Sequence, residues 1–447
     1  MLRTTGFAKN SYRRLKARRN RIRTHQRLSE MNDRLLADMD FSRSLLDEGV
    51  RAWPWRKPVV AALPAIEVFP EDRYTRVDQV GADKKKGTLT AKRFGKLPRT
   101  FHIRRPRRRK LISLALQGGG SHGAFTWGVL DRLLEDEQLH IEGISGTSAG
   151  AMNAVVLAHG LTTGGRDGAR QALTDFWENV ADQGSFSLLK SNPTENLGIV
   201  QNANPPPMLT AFLGISQFLS PYELNPFDLN PLRPIVTKQI DFERLRTECP
   251  IKLFVAATQV RTGKLRLFET KALTADALLA SACLPSLHHA IEIEGEAYWD
   301  GGYSANPAIF PLLYHCKSRD VVIVLLHPLT RLDHPKTATE IRNRITELSF
   351  STAFLREMRA LAHAKSKLEK ALFPLGRLER RLRDLNFHTI EAEELMTQLS
   401  IGSKLNTHRS FLWALRDQGW HRADTWLKKY HNRIAVRSSV NLTEVFS

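Results

Sequence analysis

Two short apolar runs, each feeding a glycine-rich loop and then a helix-like segment, constrain this chain more than any other feature. The first run is Leu111–Gln117, stopped by Gly118-Gly119-Gly120. A compact apolar run bounded by glycines reads as a buried strand. Residues without a Cβ leave their backbone amides open to a ligand. From Ala124 the pattern turns helical, with Phe125, Val129, Leu130 and Leu133 at helical spacing. The loop therefore lies at a helix N-terminus, where amides and dipole favour negative charge.

The second run, Ile141–Ser145, leads into Gly146-Thr147-Ser148-Ala149-Gly150 and a small-residue helix, Ala151–His159, ended by Gly160. This is G-x-S-x-G, the strand-to-helix elbow that holds a serine hydroxyl clear of the backbone. The first loop spells the same pattern, Gly119-Gly120-Ser121-His122-Gly123. Gly118 to Gly123 also matches the dinucleotide fingerprint G-x-G-x-x-G, with Glu142 at roughly the distance of a ribose-binding acid. Three readings compete: a pyrophosphate cradle, a nucleophile at Ser121, and a nucleophile at Ser148. The last gives both loops a task, because the amides of Gly118, Gly119 and Gly120 then form an oxyanion hole.

A third motif favours it. Tyr298-Trp299-Asp300-Gly301-Gly302 closes the segment Ala290–Ala297. With it the chain resembles the patatin-like phospholipase family, whose marks are a glycine-rich loop, G-x-S-x-G and Asp-Gly-Gly or Asp-Gly-Ala in that order. The resemblance spans about Leu111 to Leu326 and takes in Ala280-Ser281-Ala282-Cys283-Leu284-Pro285. It implies a three-layer α/β/α sandwich on a mostly parallel sheet, and a Ser148–Asp300 dyad that works without a cofactor. Gly146, Thr147, Ala149 and Gly150 would build the elbow, Gly301 and Gly302 the acid motif, and Ser121, His122 and Gly123 accessory positions. Many members carry Arg or Lys where this chain has His122.

The chemistry is coherent apart from the family name. A serine hydroxyl attacks an acyl carbon once a nearby, shielded carboxylate takes its proton. A conventional triad would instead need a histidine after the acid, and His315, His327 and His334 qualify by order alone. Each is expected to be structural, with His288 and His289 near the pocket and His122 orienting the first loop.

Composition narrows the partners. The 447 residues carry a formal net charge of +20, which points to a polyanionic surface. Met1–Arg27 is densely basic, and Lys84–Lys86 and Lys92–Lys110 add two further runs. A solvated tail, an anchor to anionic membrane and a transit peptide all remain open for the first of these. Nucleic acid is the lesser expectation, because the basic runs interleave no stacking aromatics beyond Phe94 and Phe101. Cys249, Cys283 and Cys316 show neither disulfide nor zinc spacing, so no metal is expected. No apolar run reaches membrane-spanning length and no signal-peptide core is present, which suggests a cytoplasmic or peripheral protein.

The chain divides into a basic extension at 1–110, a catalytic domain at 111–330 and a helical region at 331–447. Within the second part, 185–234 is rich in Asn, Pro and Ser and reads as a packed insertion or a lid around Met208–Leu219. Ile251–Val260, Leu265–Glu269 and Asp320–Leu326 resume the strand pattern, and strands alternating with helices indicate a sheet covered on both faces. In the last part Ile341, Ile345, Leu348, Leu355, Met358 and Leu361 form a stripe expected to face the core. Phe411, Leu412, Leu415, Trp420, Trp426, Leu427 and Tyr430 are expected to pack against the catalytic domain rather than enter a membrane interface.

The whole reads as a serine acyl hydrolase on lipid esters, of phospholipase A or lysophospholipase type. An esterase on neutral acylglycerol or stored polyester is the enzyme alternative, and a silent basic membrane- or nucleic-acid-binding protein the non-enzyme one.

Overall fold

A computed structural model describes residues 29, 43–47, 109–186, 219–331, 334–371, 376–400 and 402–446. The chain divides between residues 99 and 100. Of the first unit, the described part is Ser29 and a short helix, Arg43–Asp47. The basic runs up to residue 108 and the segment 187–218, with most of Met208–Leu219, lie outside the described residues.

The second unit is built on one sheet. Its strands are β1 (Lys110–Leu116), β2 (Leu139–Thr147), β3 (Lys252–Gln259), β4 (Leu265–Glu269), β5 (Ile291–Ile293), β6 (Glu296–Asp300), β7 (Asp320–Val324) and β8 (Asn386–Ile390). The order is β5-β6-β3-β2-β1-β7-β8, with β4 pairing β3. β1, β2, β3, β7 and β8 pair parallel, while β4, β5 and β6 run antiparallel. Alternation along the central strands sends side chains to two separate cores. Ile112, Leu114, Leu116, Val322 and Val324 face one; Ala115, Val321 and Ile323 face the other. Both faces being covered explains why β7 is apolar along its length after Asp320 rather than alternating with polar residues.

Three helices close the first face: α1 (Gly123–Glu135), α2 (Ala149–Phe186) and, from the far end of the chain, α5 (Arg409–Tyr430). The opposite core is covered by Phe310–His315, α4 (Ala338–Glu369) and Leu442–Phe446. A short helix, α3 (Ala275–Ser281), packs beside β3. The result is an α/β/α sandwich with a largely helical C-terminal region.

α2 does not end at Gly160. It runs on to Phe186, broken at Gly164 and Gly165, where φ is +63° at Gly165. Gly160 serves packing instead: a Cβ there would lie 2.5 Å from the Cα of Ala169, so the missing side chain lets the second half fold back on the first. The aromatic Trp177 on that second half is buried.

The C-terminal region is tied into the sandwich rather than appended to it. β8 lies beyond residue 330 yet extends the sheet beside β7. α5 crosses α1 at backbone contact, because Gly128 on α1 faces the carbonyl of Arg416 and Gly419 on α5 faces the carbonyl of Phe125. Phe411, Leu412, Leu415, Trp426 and Leu427 are buried there, as packing against the catalytic segment requires. The α4 stripe only half meets its expectation. Phe354, Met358 and Ala362 are buried, whereas Ile341, Ile345 and Leu348 are 42–58% exposed because the first turns of α4 extend past the sheet core.

The α1–α5 crossing yields a stability prediction. Gly419→Val puts a side chain into the Phe125 carbonyl, and overpacking of this kind costs about 3 kcal/mol. Thermal unfolding followed by circular dichroism should show the loss for the whole second unit, not for α5 alone.

Candidate active site

The sheet register explains how Ser148 and Asp300 meet. Val255 and Ala256 pair with β4 on one edge of β3 and with Gly146 and Thr147 of β2 on the other. Ala257 and Thr258 pair with β4 on the first edge and with Asp300 and Trp299 of β6 on the second. β2 and β6 therefore share one edge of β3 and run towards each other along it. Thr147 sits opposite Ala256 and Asp300 opposite Ala257, so the strands end tip to tip and the next residue of each turns out of the sheet.

Ser148 makes that turn at φ +54°, a left-handed backbone that is strained for serine. Its amide donates to Ser281 Oγ at the end of α3 at 3.0 Å, and the Thr147 hydroxyl donates to the Ala305 carbonyl at 2.8 Å. These bonds hold the elbow from both sides. Gly150 lies against the carbonyl of Leu116, and a Cβ at Gly118 would stand 2.6 Å from that of Ser148. Glycine is needed at both positions because the first loop and the elbow touch through backbone.

Asp300 is fully buried. Its amide donates to the Cys283 carbonyl at 2.8 Å, and its Oδ1 accepts the Gly302 N–H at 2.7 Å. Burial pushes the carboxyl up to about 7, against the pull of the Gly302 amide, the Ser148 hydroxyl and the Lys404 ammonium. Oδ2 has no hydrogen-bond partner among the described residues, and the Ser148 hydroxyl favours the charged form of the same carboxyl.

The first loop differs from expectation at one position. The Gly118 N–H donates to Asn306 Oδ1 at 2.7 Å, so it is already engaged and is not free to meet an oxyanion. Gly119 and Gly120 have no such amide partner among the described residues, and Gly120 is exposed at φ +57°. Ala149 begins α2, so its N–H has no partner within the helix. Gln117 braces the loop from behind: its Oε1 accepts the amides of Leu326 and His327, and its Nε2 donates to the Asn306 carbonyl.

Ser121 sits in a short 3-10 turn, Gly120–His122, without the left-handed backbone of Ser148. Gly123 follows it in contact with Ala149 and Trp177. Glu142 lies near the start of β2, at the other end of the sheet, where it accepts the amides of Lys317 and Ser318 at 2.6–2.7 Å. That removes the ribose-binding acid and with it the dinucleotide reading. No histidine among the described residues hydrogen-bonds Ser148 or Asp300. His315 is exposed, His289 stacks on Tyr222 at 4.0 Å, and His327 reaches Lys404 Nζ at 3.1 Å. His122 is buried with Nε2 at 2.7 Å from Ser403 Oγ, and burial holds its ring far down, at about 3. No group of His, Cys, Asp or Glu fit to hold a metal occurs among the described residues.

Asn306, Ser281 and the Ser403-Lys404 turn were invisible in the sequence as site residues. Ser281 stands in the stretch that resembles the family, but nothing in its spacing marks it as a partner of the Ser148 amide. Asn306 and Lys404 read as ordinary loop polar residues.

Residues 114–313 match the family model described as patatin-like phospholipase. This segment is a patatin-like phospholipase domain. It contains both glycine loops, the elbow and Asp300, and the family implies a lipid acyl hydrolase. The patatin-like match ends before β7 and β8, so the sheet of this chain extends past it. Among solved structures the chain is similar to VipD from Legionella pneumophila, at 14% identity over 76% of this chain and 73% of that one, with a TM-score of 0.35. No curated protein matches the chain.

The raised carboxyl has a stability consequence. An acid lifted from 3.8 to about 7 holds its proton more tightly folded than unfolded, so its contribution is intact below 3.8 and is lost as pH rises through 7. Asp300→Asn keeps the Gly302 bond and removes the buried charge. It should raise the melting temperature at pH 8 but not at pH 4, with a gain on the order of 4 kcal/mol at most.

Proposed function

We propose that this protein hydrolyses carboxylic esters of lipids through Ser148 as nucleophile and Asp300 as general base. The single observation supporting this is the tip-to-tip approach of β2 and β6 along β3, with the elbow serine at φ +54° beside a buried carboxyl. Asp300 accepts the Ser148 proton as Oγ bonds to the acyl carbon. The negative charge on the former carbonyl oxygen is met by the amides of Gly119, Gly120 and Ala149, each worth roughly 3–4 kcal/mol where such donors have been removed. Asp300 then returns the proton to the departing alcohol oxygen, leaving an acyl group on Ser148. A water, deprotonated by the same carboxylate, releases the acid. A base poised near 7 suits this double duty, because it must both take and give the proton at neutral pH.

The substrate reading is a phospholipid or lysophospholipid. Its support is the family together with a formal charge of +20, which draws the chain to anionic headgroups more than to neutral acylglycerol or polyester. Binding to phosphatidylglycerol vesicles should fall steeply with salt, and indifference to lipid charge would remove that preference.

Ser148→Ala and Asp300→Asn should each lower ester hydrolysis by a factor on the order of 10⁴ or more. Ser121→Ala should retain both turnover and fluorophosphonate labelling. Labelling that survives Ser148→Ala and disappears with Ser121→Ala would move the nucleophile to the first loop. In the wild type kcat should rise with pH through about 7 as Asp300 ionises.

A further inference from the structure

Two exposed apolar projections flank Asp300. The first is the start of α4. Phe354, Met358 and Ala362 lie on the sheet core, and Phe350 packs on Gly302 and on the Tyr303 ring, 4.6 Å away, beside the tips of β2 and β6. The residues before Phe350 therefore run on past the catalytic end of the sheet, where Glu347 meets Arg331 of the segment that leaves β7. At about 1.5 Å per residue, Ile341 stands roughly 13 Å beyond Phe350 along the helix axis. Spacings of four and three residues put Ile341, Ile345 and Leu348 on one outward face.

The second projection is the loop Asn225–Leu229. The Asn225 side chain donates to the Leu229 carbonyl at 3.0 Å and accepts the Leu229 amide at 2.9 Å, which closes the loop and leaves Phe227 84% and Leu229 70% exposed. Just before it, Tyr222 stacks on His289 and accepts the Ala290 amide at 3.3 Å. Cys283 links this stretch to the acid: its thiol donates to the His289 carbonyl at 3.0 Å, and its own carbonyl accepts the Asp300 amide.

We propose that the two projections form a lipid-docking face, with the α4 stripe and the Phe227 loop entering the interfacial layer of an anionic membrane around the catalytic end, resting on the lipid-ester reading of Ser148 and Asp300. The charges on α4 select this occupant. Arg342, Arg356 and Arg359 are exposed and have no acid partner among the described residues, and Arg359 follows Ile341 by about five turns, on the same line of the helix. The acids between residues 338 and 360 are engaged elsewhere. Glu340 accepts the amides of Lys336 and Thr337, Glu347 holds Arg331 and Arg344, and Glu357 accepts the amides of Ile309 and Phe310. An outward apolar stripe beside arginines and no free acid is the pattern of a helix lying in a membrane interface, where guanidinium groups meet phosphates. A second copy docked on the same face would instead set arginine against arginine. The loop carries Asp228 between its two apolar residues, so the cationic pull comes from α4.

Vesicles and a soluble ester separate the outcomes. Ile345→Ser and Phe227→Ser change exposed side chains, and circular dichroism of the full chain checks that each variant folds. Each should weaken co-sedimentation with phosphatidylglycerol vesicles about tenfold and lower hydrolysis of that lipid by a similar factor, while kcat and KM for p-nitrophenyl butyrate stay within about twofold. Arg356→Glu combined with Arg359→Glu should weaken binding to phosphatidylglycerol and leave binding to phosphatidylcholine unchanged. Wild-type vesicle binding and lipid hydrolysis in both serine variants overturn the inference. A smaller oligomer in either serine variant also overturns it, by making the occupant a second copy, as does faster soluble-ester turnover, by making it another part of this chain. Ser148→Ala and Asp300→Asn are assayed beside them on p-nitrophenyl butyrate: activity in either defeats the dyad and this inference with it. Silence in both, with vesicle binding unaltered in the serine variants, defeats the docking face alone.

Discussion

One edge of β3 is the constraint on which the site depends. Each level of a strand edge accommodates one neighbour, and here β2 occupies it as far as Ala256 and β6 takes over at Ala257 from the opposite direction. A parallel strand and an antiparallel strand that meet this way bring their C-terminal tips together. Both tips then turn out of the sheet at the same place, which is why a serine and a carboxylate 152 positions apart (300 less 148) become neighbours. The hairpin β5–β6 is needed for this geometry, because only a strand returning against β3 delivers its last residue at the end where β2 also finishes.

Close approach of backbones does the rest. The first loop could not lie on the elbow if Gly118 or Gly150 had a side chain, and the α1–α5 crossing has the same character at Gly128 and Gly419. These contacts join the front of the catalytic segment to the far end of the chain. The Gly402–Leu405 turn continues that connection onto the glycine loop. Residues beyond the patatin-like match therefore contribute two strands to the sheet, helices to the cover of both its faces and a turn against the first glycine loop.

The electrostatics follow from burial. Burial raises the Asp300 carboxyl, and the Gly302 amide, the Ser148 hydroxyl and Lys404 oppose that rise, leaving it at about 7. Strain at Ser148 and a desolvated carboxyl both cost stability, and the surrounding sheet and its two cores maintain them. This is the ordinary relation between a rigid scaffold and a reactive site.

The sequence by itself determined where β1, β2, β3, β4 and β7 lie, because each is a local run of strand pattern with breakers at its ends, and it marked the elbow and the acid motif, because each is a few adjacent residues; β8 had no such signal within a region that reads as helical. It also determined that the sheet is covered on both faces, since β7 has no polar alternation after Asp320. Other features had no local signature. That Gly118 spends its amide on Asn306, that Gly160 permits a helix to fold back rather than ending it, and that half the α4 stripe lies outside the core are facts about what stands nearby. Lys404 is the clearest case: its sequence neighbours mark it as a loop residue, and only the packing of chain ends through space sets its carbonyl against Gly120 of the first loop.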